Sequence, residues 1–259
     1  MTFDPGALTI VLPALGAGLL VVATHVPLGA QVLARGIVFI DLAIAQIAGC
    51  GVLLADAFGF EPEGIAVQVA ALAAALAGAL VLTWTERRWP EVQEATIGVT
   101  FVLAATAGVL LLANNVHGSE HLRDLLVGQI LWVRPATLAI VAVVYAVILL
   151  VWLRWQERIG RAGFYVLFAC AVTISVQLVG VYLVFASLIV PPLATRRIAR
   201  ARLPAAWALG LAGYLVGVAL SVTFDWPTGP VIVWTLAGLG VTVWAWTVRA
   251  APSAAAQRS

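Results

Sequence analysis

The residues of this chain that could do chemistry fall in three places. The first is Asp41, in Phe39-Ile40-Asp41-Leu42-Ala43-Ile44-Ala45-Gln46, an acid set within an apolar run. A carboxylate in hydrocarbon costs at least about 2.5–3.5 kcal/mol on insertion scales, so it faces a polar cavity or a partner. A passing cation is one such partner. An ion pair with Arg35, just before the run, is the competing reading. Gln46 lies on a neighbouring face and could instead bond between helices.

The second place is His117-Gly118-Ser119-Glu120-His121-Leu122-Arg123-Asp124, which holds two of the three histidines. On a helix His117, His121 and Asp124 would share one face, and imidazole with carboxylate suits zinc or manganese. His117, Glu120 and His121 are the candidate ligands. The competing reading is a hydrated loop, which Asn114-Asn115 favours as a turn. The third histidine, His25, reads as a hydrogen-bonded residue at a helix interface. Cys50 and Cys170 sit in apolar runs and read as small core hydrophobes with no disulfide framework.

The third place follows Pro191-Pro192, where Arg196, Arg197, Arg200 and Arg202 cluster. Proline removes a backbone donor and clashes with the preceding turn, so a break is expected there. A basic helix over Pro192–Pro204 is expected after it, either docking a partner or merely setting topology. Several chemistries lack their motifs. There is no G-x-x-x-x-G-K-[ST] phosphate loop, no H-E-x-x-H and no G-x-S-x-G. One intramembrane acid is also thin for a proton-driven relay.

The elements that must carry these residues are set by composition. Of 259 residues, 63% are hydrophobic and 10% charged, against about 25% charged in a soluble domain. Such a chain cannot cover its surface with polar groups, so lipid must be its solvent. A bilayer core about 30 Å thick needs about 20 apolar residues per helix. Apolar runs fall at 6–27, 37–57, 64–85, 95–113, 136–153, 164–179, 180–195, 205–223 and 230–248. The runs 164–179 and 180–195 meet at Val179-Gly180 and are two spans or one broken span. The expected fold is all-α, a polytopic bundle of eight to nine spans. Residues 1–249 form one domain and 250–259 a disordered cytoplasmic tail. The first run is too long for the apolar region of a secretory signal, and no basic stretch precedes it, so it reads as a true span.

Charge gives the orientation. Arg35, then Arg87 and Arg88, then Arg154, Arg158 and Arg161, then Arg196 to Arg202, and last Arg249, lie in alternate connections. The others carry Asp56, Glu61 and Glu63, then Glu120 and Asp124, then Asp225, with Arg123 and Arg134 as exceptions. The positive-inside rule places loops 28–36, 86–94, 154–163 and 196–204 and the C-terminus in the cytoplasm, and the N-terminus outside. Gly213-x-x-x-Gly217 and Ala104-x-x-x-Gly108 predict closely packed helices. Trp84, Trp89, Trp132, Trp152, Trp155, Trp226, Trp244 and Trp246 suit interfacial belts.

Four stretches, in order, resemble the metal-ion permeases of ABC importers. Pro27-Leu28-Gly29 through Gln46 is similar to that family's first cytoplasmic loop and second span. Glu94-Ala95-Thr96-Ile97-Gly98-Val99 resembles the acidic-x-x-Ile-Gly opening of a later span, and Gly180 to Thr195 the Gly-x-x-Leu-x-x-Ala-x-Leu-Ile-x-Pro block. Asp225-Trp226-Pro227-Thr228-Gly229-Pro230 resembles the turn before the last span. The family often has Asp-x-x-x-His in its second span; here Ala45 follows Asp41, so only Asp41 carries over. The His117–Asp124 loop is similar to one subgroup.

The resemblance implies a permease of the vitamin-B12-importer (type II) class in a bacterial inner membrane. It would take a divalent metal ion, zinc first with manganese or iron as alternatives, and hold no cofactor. An ABC ATPase, an extracytoplasmic metal-binding protein and a second, identical permease would be its partners. Arg196, Arg197, Arg200 and Arg202 would couple it to the ATPase. A stand-alone secondary cation transporter or channel is the first rival, and a membrane-embedded lipid enzyme the second.

Overall fold

A computed structural model describes residues 5–61, 64–112, 126–155 and 158–256. The described residues form nine α-helices and no strands. They are α1 (Pro5–Arg35), α2 (Ile40–Ala57), α3 (Ile65–Arg88), α4 (Gln93–Leu112), α5 (Pro135–Trp155), α6 (Gly160–Val179), α7 (Val181–Ala194), α8 (Arg202–Phe224) and α9 (Thr228–Ala256). Eight of them are long and apolar enough to cross a membrane; α7, with 14 residues, is the short one. The run 164–195 is therefore two helices, broken at Gly180, whose φ is +82°.

Lipid as solvent decides which faces are buried. On α5 the buried residues are Val141, Tyr145, Ile148 and Trp152. They form one stripe at the 3–4 residue spacing of a helix face, and Ile140, Val143, Val147 and Leu150 point outward. α7 is the opposite case, buried along most of its length between α1, α8 and α9. α2 packs between α3 and α4, and α3 packs on α6. The predicted Gly213 and Gly217 contact forms against α9. A Cβ on Gly213 would lie 2.8 Å from Leu236 Cγ, and one on Gly217 2.7 Å from Ile232 Cα. Seven of the eight end tryptophans are exposed, but Trp152 is buried against Phe164 and is no belt residue.

Three local expectations are corrected. Residues 28–35, read as a loop, continue α1 through Pro27. Neighbouring helices cover what a proline frees in a membrane bundle, and here α7 packs on this stretch. A Cβ on Gly29 would lie 2.8 Å from the Leu188 carbonyl carbon, below any real Cβ contact. Pro191 and Pro192 lie inside α7, which stops at Ala194, and Thr195 Oγ1 donates to the Pro191 carbonyl at 2.9 Å. No helix spans Pro192–Pro204: residues 195–201 are turns and bends, and α8 starts at Arg202 after Ala201, whose φ is +62°. At the C-terminus, α9 runs past Arg249 to Ala256.

Candidate metal path

Asp41 is placed by the end of the helix before it. α1 stops at Arg35 because Gly36 adopts φ +71°. The Gly36 amide then donates to the Leu33 carbonyl at 3.4 Å and the Ile37 amide to Val32 at 3.3 Å. That is the paired closure of a Schellman turn. The chain reverses within four residues, and Asp41 enters α2 in its first turn. There the orphan amides and the helix dipole favour negative charge.

The side chain is 1% exposed, with the Asp41 and Leu42 amides near its carboxylate and no side-chain partner on either oxygen. Arg35 is not its partner. The Arg35 guanidinium lies over the Phe164 ring, 4.2 Å from its centre, and its Nη1 is itself buried and unpartnered. The competing reading of Asp41 as an ion-paired anchor therefore fails. Ala45, on the same helix face one turn on, offers a methyl where a ligand could stand, and is 2% exposed.

Two spaces adjoin this stretch of α2. A groove of about 570 Å³ runs between α2, α4, α7 and α9, lined by Leu42, Gln46, Phe101, Phe185 and Val233 among others. It is largely apolar, and Phe39 and Phe185 stack beside it with ring centres 6.4 Å apart. A smaller cavity of about 10 Å³, the room of one water, lies between Ala45, Gln46, Cys50, Gly108 and Val181. Gln46 faces both spaces and Asp41 lies sealed one residue round the helix from Leu42. Cys50 is half-buried and donates its thiol to the Ala104 carbonyl at 3.1 Å. Both cysteines are free.

His117, Glu120 and His121 lie outside the described residues. Among the described residues no group of three or more His, Cys, Asp or Glu could hold a metal ion. Arg196, Arg197 and Arg200 are exposed in the turn between α7 and α8. Arg202 is half-buried, with Nη2 3.5 Å from the Pro192 carbonyl.

Sequence reasoning passed over two features here. Glu94, quoted above only for its motif, sets its carboxylate near the Val38 and Phe39 amides ahead of α2, with Oε2 buried and unpartnered. Its place in an acidic-x-x-Ile-Gly motif was the available signal. The other is a buried polar layer across the bundle's middle. His25 is fully buried, its Nδ1 3.1 Å from the Val21 carbonyl and its ring 6.3 Å from Tyr145. Tyr145 hydrogen-bonds Ser175, and Tyr214 pairs with Ser187 at 2.9 Å. His25 is thus a hydrogen-bonded residue at the α1–α5 interface, as expected. The partners come from distant helices, which no local pattern reveals.

Known proteins match this arrangement. The ABC 3 transport family profile matches residues 7–160 and 157–246. PsaBC from Streptococcus pneumoniae, solved in complex with Fab, is similar in structure: TM-score 0.74 at 21% identity, over 92% of this chain and 93% of that one. An inward-facing structure described as a metal-chelate type ABC transporter has TM-score 0.71 at 16% identity, over 96% of this chain and 90% of that one. A search of curated proteins finds no match. With the profile covering nearly the whole chain, this protein belongs to the ABC 3 transport family, the metal-ion ABC permeases its motifs resemble.

Proposed function

We propose that this chain is the membrane-spanning subunit of an ABC importer for a divalent metal ion. The observation that carries the reading is Asp41, a buried carboxylate with no side-chain partner, at the first turn of a helix that walls a groove. A buried carboxylate without a counter-charge suits a transient cation. Zinc is the first candidate cargo, because His117 and His121 would offer imidazole at the outer loop. The carboxylate of Asp41 and the amide of Gln46 would serve manganese or iron as well.

The groove is open along one side of the bundle, and Tyr182 beside it is 51% exposed. An identical second permease would cover that side and close the path. The arginine-rich end, with Arg196, Arg197, Arg200 and Arg202, would face the cytoplasm and an ATPase, and the opposite end an extracytoplasmic binding protein. The described residues hold no phosphate loop, so hydrolysis would reside on the ATPase.

The test is metal uptake by cells or proteoliposomes, with and without the co-expressed ATPase. Uptake of zinc, manganese or iron that needs the ATPase supports the reading; uptake by the chain alone favours a secondary transporter. Changing His117 and His121 to Ala should raise the metal concentration for half-maximal uptake and leave the maximal rate nearly unchanged. Indifference to that change would leave the loop a solvated turn.

A further inference from the structure

The break between α6 and α7 lies at membrane depth. α7 has 14 residues, so at 1.5 Å per residue Gly180 sits about 21 Å from the arginine-rich end. A hydrocarbon core is about 30 Å thick, so the break is inside it. Irregular backbone at that depth must be covered by protein or line a cavity. What covers it is the segment 126–134 just before α5, in which Leu126 and Val127 are helical, Ile130–Trp132 is a single 3-10 turn and Gly128 and Gln129 are irregular.

The cover is backbone on backbone. Gly128 and Gly180 both have positive φ, +69° and +82°, and face each other. A Cβ on Gly180 would lie 2.5 Å from the Val127 carbonyl carbon and 2.8 Å from Gly128 Cα. A Cβ on Gly128 would fall within the envelope of the Val179 carbonyl. Real Cβ contacts do not approach within 3.0 Å, so two glycines are required at this contact. The same segment meets α9, since a Cβ on Gly229 would lie 2.6 Å from the Val127 oxygen. Next to this clasp Leu126 and Val181 line both the groove and the small cavity.

We propose that the segment 126–132 is a strap closing the path on its acidic, outer side, held shut by the Gly128–Gly180 contact. The inference rests on the metal-path reading above for what passes beneath the strap. Strap and α7 are joined by contact alone, with no covalent or side-chain tie across the two glycines. Parting them would expose Leu126 and Val181 and open both spaces to the outer face while α7 keeps its contacts with α1 and α8.

Cys50 is a native reporter, because it lines the small cavity together with Leu126 and Val181. In a Cys170→Ser background, right-side-out membrane vesicles carrying the chain are treated with a membrane-impermeant thiol reagent, and the Cys50 labelling rate is read. The unmodified strap should protect Cys50. Gly128→Ala should raise the outside labelling rate about tenfold or more by shifting the local opening equilibrium. Leu126→Ala adds no clash and should do the same by thinning the roof, which keeps the test alive should Gly128→Ala not fold. Cys50 labelled as fast with the strap intact as in either variant would overturn the proposal, as would protection unchanged in a folded Leu126→Ala. Labelling needs neither metal nor ATPase. It can fail while uptake stands, and uptake can fail while the strap opens as described.

Discussion

Asp41→Asn separates a carboxylate kept for function from one kept for structure, because the two roles predict opposite signs. Asn has nearly the shape of Asp, so the substitution removes charge and leaves no cavity. Asp41 is 1% exposed with no side-chain partner on either oxygen, and Arg35 is engaged with Phe164. The charge therefore carries its desolvation cost, at least about 2.5–3.5 kcal/mol on insertion scales, offset within the chain only by the Asp41 and Leu42 amides of the first turn. The Asn amide, buried in turn, costs about 1–3 kcal/mol. The difference leaves a gain of about 1 kcal/mol, or about 2–4 °C in Tm for a chain of this size. Breaking a buried ion pair would instead cost about 3–5 kcal/mol. The assay pairs thermal unfolding of the detergent-purified protein with metal uptake in reconstituted vesicles. The expected result is a Tm unchanged or raised by a few degrees together with a lower maximal uptake rate. A Tm lowered by several degrees would show that Asp41 has a structural partner and refute the reasoning. Full uptake would remove Asp41 from the path.

Other outcomes follow from the same structure. Reporter fusions after Arg88, Arg161 and Arg202 should read cytoplasmic, and those near Glu61, His121 and Asp225 extracytoplasmic; a cytoplasmic signal at His121 would overturn the charge argument and the entry side of the metal. Replacing Arg196 and Arg200 by Glu should uncouple ATP hydrolysis from transport with membrane insertion unchanged, because both side chains are exposed in the α7–α8 turn; wild-type transport would make that turn an anchor only. Gly29→Ala should cost about 1–3 kcal/mol, the range for overpacking, since its methyl meets the Leu188 backbone. Gly238→Ala, with nothing within 4 Å, should be close to neutral, and fluorescence-detected gel filtration after a heat challenge reads both.

Composition and charge order were enough to give the membrane, an all-helical bundle of eight to nine spans and the grouping of arginines in alternate connections. Those properties are local, because an apolar run of sufficient length becomes a helix wherever lipid is the solvent and no water can satisfy a bare backbone. The same locality explains the misreadings. Pro27 and Pro191-Pro192 look like stops in one dimension, yet α1 and α7 run through them because neighbouring helices pack over the backbone there, Gly29 of α1 against the Leu188 carbonyl that Pro192 frees. Asp41 could be singled out by its cost, but the choice between Arg35 and a passing ion turned on where Arg35 points, which Phe164, 129 positions from Arg35 along the chain, decides. Gly128 and Gly180 carry no joint signal in the sequence. Their contact exists because the stretch before α5 meets the break between α6 and α7, and only packing in three dimensions could bring two bare backbones to the same point.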